Sequence, residues 1–372
     1  MTLPYQKIKD MIHGRNPMIF SLREIADKQI QPASLDLTLG DRVYRTSSSF
    51  LPKSNETVWE ILKRRTLYDF ELKSGTILEP NSSYIIPLAE YVDLAPGIYA
   101  YANPKSSIGR VGLFVRLLVD RTPRFDYIPP GYKGQMYLEV MPLDFVVKTH
   151  PGLACNQIRF RSVGPYRARE AQLRLAHAKH GLLFDQEGNS LSQDKLVVGE
   201  GGLMLTVDIE HRDIIGYRAK HDTTQAIDLG VVDHYDPSDF WEPIERPKSG
   251  ELILVPNNFY LLASNERISF PPNFAGEMAS YDPASGEMRS HYAGFFDPGF
   301  GFGESGIGGG TTAVLEVRAH NVPFRVTNGQ IVCKMVFEQM MEEPSVLYSS
   351  SIGSTYVGAG PKLSKHFKQT WQ

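Results

Sequence analysis

The sequence predicts an all-β chain of two tandem repeats, each a sandwich or barrel, joined by a short helical linker. Three observations carry this: a length of 372 residues, an ordered self-similarity at a nearly fixed shift, and short punctuated strand patterns inside each half. A single domain usually stops growing near roughly 250 residues, so two cores are the starting expectation. The segment SGTILEPNSSYIIPLAEYVDLAPGIYAY (74–101) aligns with SGELILVPNNFYLLASNERISFPPNFAGEM (249–278), pairing Pro80 with Pro256 and Tyr84 with Tyr260 at a shift of 176. YLEVMPLDFVVKTHPGLACNQIRF (137–160) aligns with VLEVRAHNVPFRVTNGQIVCKMVF (314–337), pairing Glu139 with Glu316 and Gly152 with Gly329 at a shift of 177. ASLDLTLGDRVYRT (33–46) has a looser echo in LMLTVDIEHRDIIGYRA (203–219). Three segments in the same order mark a duplication.

Inside the repeats, TILEP, SSYIIPLAE, MYLEVMP and ELILVP combine β-branched and aromatic residues, and Pro, Gly and Asn punctuate them at short intervals. Between the repeats, PYRAREAQLRLAHAKHG (165–181) is rich in Ala, Leu and Arg and closes on Gly181, which predicts a helix. QEGNSLSQD (186–194) is polar and turn-forming, so the division falls there. The resulting expectation is a first repeat over 1–165, a helical linker over 166–195 and a second repeat with a closing tail over 196–372. One large β-domain is the alternative at this length.

A net charge of −3 and a pI near 6.4 provide no overall basic field for a nucleic-acid backbone, while leaving room for a local pocket that takes a small anion. Cys155 and Cys333 are too few for a disulfide framework or a four-cysteine zinc site. The opening MTLPYQKIKDMIHGRNPMIF lacks the apolar core of an export signal, and no apolar run approaches the roughly 18 to 20 residues that span a bilayer. A soluble cytoplasmic protein without membrane or nucleic-acid partners is the expectation.

Four constellations can carry chemistry. In PKSSIGRVGLF (104–114), Lys105, Ser106, Ser107 and Arg110 cluster at a short helix start, where backbone N–H groups, hydroxyls and cations suit a phosphate; a Ser-Ser pair there also serves as a plain N-cap. Glu139 lies among apolar residues in MYLEVMP, so it reads either as a proton carrier with a raised pKa or as a paired structural carboxylate, and Glu316 repeats it. SHYAGFFDPGFGF (290–302) folds a tight turn at Asp297-Pro298-Gly299, and Ala293-Gly294 gives a flat base close access to backbone. GFGFGESGIGGGTT (299–312) suits either a phosphate cradle of backbone amides or a hairpin insertion, and the hairpin is favoured because no lysine or P-loop spacing accompanies it. The His-x-Glu and Pro-Cys-x-x-Cys elements of zinc base deaminases are absent, as are a Walker motif and a Gly-x-Ser-x-Gly elbow.

These segments resemble the dCTP deaminase and dUTPase superfamily. IQPASLDLTLGDRVYRT (30–46) is similar to its opening strand signature, PKSSIGRVGL to its Arg-Ser-Ser-Leu-x-x-x-Gly-Leu motif with Lys105 for arginine, YLEV to the strand bearing the deaminase glutamate, and SHYAGFFDPGF to its Ala-Gly-x-x-Asp-x-Gly-Phe element. The resemblance implies two dUTPase-like distorted β-barrels (jelly-roll-like) and hydrolysis of dCTP to dUTP and ammonia without zinc. It further implies that Glu139 activates water, that Ser106 and Arg110 orient it and stabilise the intermediate, and that Arg121 binds triphosphate. Lys105, Ser107 and Asp126 would contact substrate, magnesium would ride on the phosphate oxygens, and TYVGAGPKLSKHFKQ (355–369) would close over the nucleotide through Tyr356, Lys365 and Gln369. A dUTPase, a bifunctional enzyme and a catalytically silent nucleotide binder are the rivals, and dTTP is a possible inhibitor.

Two departures stand out. The first repeat inserts TPRF before Asp126, distorting its third motif, and the second reads ASYDPASGEMRS where Ser-Ser-x-x-x-Arg belongs. Family members form threefold rings, so a homo-oligomer with threefold-related rings is expected. Rings of one repeat type would gather Ser106, Arg110, Arg121 and Glu139, and Glu139→Gln would then abolish turnover. A composite site joining Ser106 to Ala293 and Glu316 ranks second, because it needs an asymmetric pseudo-trimer.

Overall fold

The two halves of the chain pair their strands by one hydrogen-bond plan. In the computed structural model, residues 1–199, 201–280, 288–290, 294–303, 308–319, 321–349 and 361–369 are described. The main sheet of the first half runs Thr66–Glu71, Arg42–Thr46, Ser83–Asp93, Lys133–Pro142, Leu113–Val119 in spatial order. The second half repeats it with Trp241–Glu245, Ile214–Ala219, Tyr260–Ile268, Thr311–Ala319 and Met288–Ser290. A second layer orders Leu35–Thr38, Ala154–Ser162, Ile98–Pro104 and Tyr127–Ile128, matched by Gly202–Asp208, Ile331–Gln339, Phe274–Ser280 and Phe295–Phe296. The all-β duplication read from the sequence is therefore the architecture.

Side chains confirm the register. Glu79 N–H donates to the Tyr84 hydroxyl at 3.2 Å, and 176 residues on Val255 N–H donates to Tyr260 at 2.9 Å. Buried Glu90 accepts from Thr38 N–H and hydroxyl at 2.8 and 2.7 Å, and Glu266 accepts from Thr206 at the same distances. Each pair ties the central strand to the second layer.

The linker helix spans Glu170–His180 and ends at Gly181, whose φ of +69° suits glycine. It starts later than 165 because 166–168 run extended beside Ile331–Gln339: Ala168 N–H donates to Phe337 O at 2.8 Å and Gln339 N–H to Tyr166 O at 2.7 Å. Among the described residues, no helix is long and apolar enough to cross a membrane.

Among the described residues two large apolar cores form beside two smaller clusters, and the first core crosses the repeats. It gathers Leu35, Val115, Leu138 and Phe160 with Tyr217, Phe240, Trp241, Phe259 and Phe367. The second draws on residues from Ala168 to Phe337. Alternation along Ala154–Ser162 sends Ile158 and Phe160 into the first core and turns Arg159 and Arg161 toward the other repeat.

Both arginines are essentially unexposed. Arg159 donates to Asp297 Oδ1 at 2.9 Å, Gly276 O at 2.9 Å and Phe296 O at 3.2 Å. Arg161 pairs bidentately with Glu338, its Nε lying 3.1 Å from Oε2, and reaches Glu277 at 3.4 Å. Thr2 donates to Glu338 at 2.7 Å, and its backbone bridges to Arg161 and Met340. Burial works against the charge on Glu338, yet Arg161 and Arg159 hold its carboxyl below the ordinary range.

Breaking a buried ion pair strands its partner's charge, so Arg161→Met is expected to cost about 3–5 kcal/mol in urea unfolding. A loss below about 1 kcal/mol would show that the pair does not secure the repeats.

Candidate active site

Strand Ile98–Pro104 delivers Lys105 in extended conformation to the short helix Ser106–Gly109. Lys105 holds the cap position, and neither serine caps the helix with its side chain. Ser106 Oγ instead accepts from Arg110 Nε at 3.0 Å, which fixes the guanidinium over the turn. Arg110 Nη1 donates to Lys362 O at 2.7 Å, and Ser364 Oγ donates to Ser107 O at 2.7 Å. The tail is thus tied to the turn. Leu363 and Phe367 anchor it in the first core, with the Phe367 ring 5.4 Å from Phe240 and 6.1 Å from Trp241.

Lys105 pairs with Asp36, and Lys365 lies within their field. Burial, assisted by the Lys105 charge and opposed by Asp36, lowers the Lys365 pKa. Two lysines converging beside backbone N–H groups make a site for phosphate oxygens.

The second repeat completes this place. A Cβ on Gly294 would lie 3.1 Å from Gln157 Nε2, 3.2 Å from Pro104 O and 3.4 Å from Ser106 N, so the turn sits against the serine helix. Asp297, three residues on, is held by Arg159 at 2.9 Å. Burial raises its pKa against the Arg159 charge, with Asp36 and Lys105 both in its field. A Cβ on Gly109 would collide with the Glu316 carboxylate. Glu316 is 2% exposed and, among the described residues, receives no hydrogen bond or ion pair. Its burial pushes the carboxyl up to about 8, with Arg110 and Arg318 pulling it down.

The other predicted residues lie elsewhere. Glu139 sits opposite Arg116 and Ile85, and its carboxylate accepts from Ser49 and Ser83 at 3.0 Å each. Burial raises its pKa, and those hydroxyls and Arg116 lower it. Asp126 Oδ1 accepts from Leu117 N–H at 2.8 Å, and desolvation pushes its carboxyl to about 7. Arg121 is exposed, with φ of +56° and its N–H on Glu56 O. Gln369 N–H meets Asp233 and its side chain meets Phe367 O. Ala293 and Tyr356 lie outside the described residues. Within one chain, then, the turn bearing Ser106 and Arg110 meets Glu316 and the Gly294–Asp297 turn, and Glu139 and Arg121 have other neighbours. The contact of the Ser106 turn with Glu316 is the one named in the composite arrangement ranked second from the sequence, whose Ala293 lies outside the described residues.

Strand register explains the sharing. Ala100 pairs with Ile128 as Gly276 pairs with Phe296, so Pro129 stands where the second repeat has Asp297, and Asp126 where it has Gly294. The first repeat has no counterpart to the Asp297 carboxylate.

Sequence reasoning missed Arg159, Gln157, Phe259, Asp144 and Arg318. Phe259 and Arg318 had a signal: they align with Ser83 and Met141, so the surroundings of the two glutamates differ. A cavity of about 30 Å³ beside Glu316 is lined by Gly109, Gly112, Phe259 and Arg318. Among the described residues, no group of three or more His, Cys, Asp or Glu gathers as a metal site.

The sequence matches the 2′-deoxycytidine 5′-triphosphate deaminase N-terminal domain over residues 1–164 and the C-terminal domain of the same enzyme over 169–367. The chain belongs to the dCTP deaminase family. The crystal structure of 2′-deoxycytidine 5′-triphosphate deaminase from Agrobacterium tumefaciens superposes with a TM-score of 0.85 at 38% identity, covering 96% of this chain and 99% of that one. A "dCTP deaminase, dUMP-forming" of Persephonella marina is 27% identical over 177 residues, 45% of this chain and 91% of the relative. A "dCTP deaminase" of Halorubrum lacusprofundi is 29% identical over 140 residues, 36% and 64% of the two chains. Such relatives match about half of the duplicated chain, as the repeat requires.

The folded Glu316 pKa of about 8 stands above its ordinary 4.5, so the native state holds an extra proton between them. Stability from this group is full below 4.5 and lost as pH rises through about 8. Glu316→Gln is expected to flatten that fall in urea titrations of the ligand-free protein, and an unchanged slope would place Glu316 in a more polar setting.

Proposed function

We propose that this family member deaminates dCTP at the composite site, with Glu316 as the group that activates water. The observation that carries the reading is the contact of Glu316 with the Ser106–Arg110 turn. In this reading the carboxylate takes a proton from water as its oxygen bonds to C4 of cytosine. Arg110, held by Ser106, faces the charge that develops in the tetrahedral intermediate. That proton is delivered to N3 of the ring, and the C4 hydroxyl proton then passes by way of Glu316 to the departing amine, so the C4–N bond breaks, C4 keeps its oxygen as a carbonyl, and dUTP and ammonia result. No zinc takes part in this scheme.

Lys105 and Lys365 receive the triphosphate, and its magnesium is carried by phosphate oxygens. The Gly294–Asp297 turn offers backbone to the flat base, its conformation secured by Arg159. Glu139, with two hydroxyls on it, is given a structural role, which replaces the role expected for it from the resemblance. The homo-oligomer with threefold-related rings and inhibition by dTTP stay proposals that sedimentation and inhibition assays test.

Two of the similar relatives named above differ in whether their names include dUMP formation, which makes the product the second question. Full-length protein with dCTP and magnesium is expected to release ammonia with dUTP; pyrophosphate with dUMP would add a phosphohydrolase step, and binding without turnover would refute the catalytic reading. Glu316→Gln is expected to lower kcat by roughly 10²–10⁴-fold. Glu139→Gln should retain turnover, and the reverse pattern would return the role to Glu139.

A further inference from the structure

Arg318 follows Glu316 by two residues on strand Thr311–Ala319, so both side chains leave the same face. Both line the cavity of about 30 Å³ between the repeats. The guanidinium is clamped from two directions. It pairs bidentately with Asp144, Nη1 lying 3.1 Å from Oδ1, and lies over the Phe259 ring at 4.5 Å. Asp144 in turn packs on the backbone at Gly112, where a Cβ would collide with its carboxylate. The Nη atoms are therefore used, while buried Nε has no hydrogen-bond partner among the described residues. Glu316 likewise receives no hydrogen bond from them.

The lining is mostly apolar, with Glu316 and Arg318 as its charged members, and a space of this volume holds one or two waters where roughly 10–15 Å³ suffices for one. A buried N–H donor and a buried carboxylate lining the same small space are satisfied together by such a water. We propose that Arg318 is a positioning residue for the deamination, fixing the Glu316 carboxylate through a water in this cavity and favouring its ionised form by charge. The inference rests on the assignment of Glu316 above. The first repeat lacks the device: Met141 aligns with Arg318, Ser83 with Phe259, and Glu139 is held by serine hydroxyls instead.

Among the described residues, Arg110 and Arg318 are the charged groups that act on Glu316, and Arg289 on the neighbouring strand is the register partner of Arg318. Arg110 approaches from the serine helix and Arg318 from its own strand, while Leu261 pairs opposite on Tyr260–Ile268. Asp144 faces Arg318 from the first repeat, with His221 in its field. Both cations lower the carboxyl pKa, so removing either moves it upward.

The test is the pH dependence of kcat/KM, with kcat and KM for dCTP, in the full chain and its Arg318→Met, Arg318→Lys, Asp144→Asn and Glu316→Gln variants. Methionine already occupies the matching position of the first repeat, so it suits the strand. Arg318→Met is expected to lower kcat roughly 10-fold or more with KM within about 3-fold, and to move the acid limb up by ~0.5 unit or more. Arg318→Lys should bring the limb back toward wild type. If kcat and the limb stay put in Arg318→Met while only the melting temperature falls, Arg318 is merely a bridge between repeats and the proposal is overturned. Should that variant not fold, Asp144→Asn takes its place, with a lowered kcat expected and an unchanged one overturning the idea. An active Glu316→Gln would sink the Glu316 assignment itself, whereas an inactive one beside a normal Arg318→Met would sink the role of Arg318 alone.

Discussion

A guanidinium with no exposed surface has to find all its partners inside the protein, and Arg159 finds most of them in the other repeat. Asp297, Gly276 O and Phe296 O supply the near partners, and Ala33 O adds a longer one at 3.3 Å. Burying such a charge unpaired costs several kcal/mol, far more than a surface pair returns. The first repeat consequently cannot settle its own strand Ala154–Ser162 without the second repeat's turn. That one demand brings Gly294 to Ser106 and Asp297 to the lysines. Arg161 and Glu338, which occupy matching places in the two repeats, close the same seam.

In the composite site proposed above, each copy needs to keep only its own half. The first repeat keeps Ser-Ser and Arg110 but has Pro129 where a carboxylate would stand; the second keeps Asp297 and Glu316 but not the serine motif. These losses look like decay in either repeat alone. Taken together they are complementary, because the retained halves are the ones the seam puts in contact.

Much of this was legible in the residues. The shift of 176 to 177 gave the duplication, strand patterns gave the all-β class, Gly181 gave the helix stop, and the Ser-Ser motif and Asp297 turn gave most of the site's groups. What was not legible is contact between repeats, since a pattern of alternating residues fixes which face a side chain takes but not which sheet lies opposite. Glu139 and Glu316 sit in similar strands, and the expectation of rings built from one repeat type favoured the first. Arg121 matched its motif by position, yet its backbone turns toward Glu56. The helix start misled because Ala168 and Tyr166 satisfy their backbone on a strand before the helix can begin.

In the proposed reading the two glutamates put one fold position to two purposes. Burial raises both, but Glu139 has two serine hydroxyls on its oxygens and Glu316 has none among the described residues. A carboxylate with its lone pairs engaged is quiet: proton uptake would cost it hydrogen bonds that favour the charged form. A carboxylate left with only distant cations and a small cavity can exchange its proton near neutral pH, which is what general base chemistry requires. Leaving Glu316 so poorly satisfied is destabilising, and it persists because the surrounding seam is over-determined by Arg159, Arg161 and the Arg318–Asp144 pair. The stability held in that seam and the reactivity proposed for Glu316 are thus two sides of one arrangement.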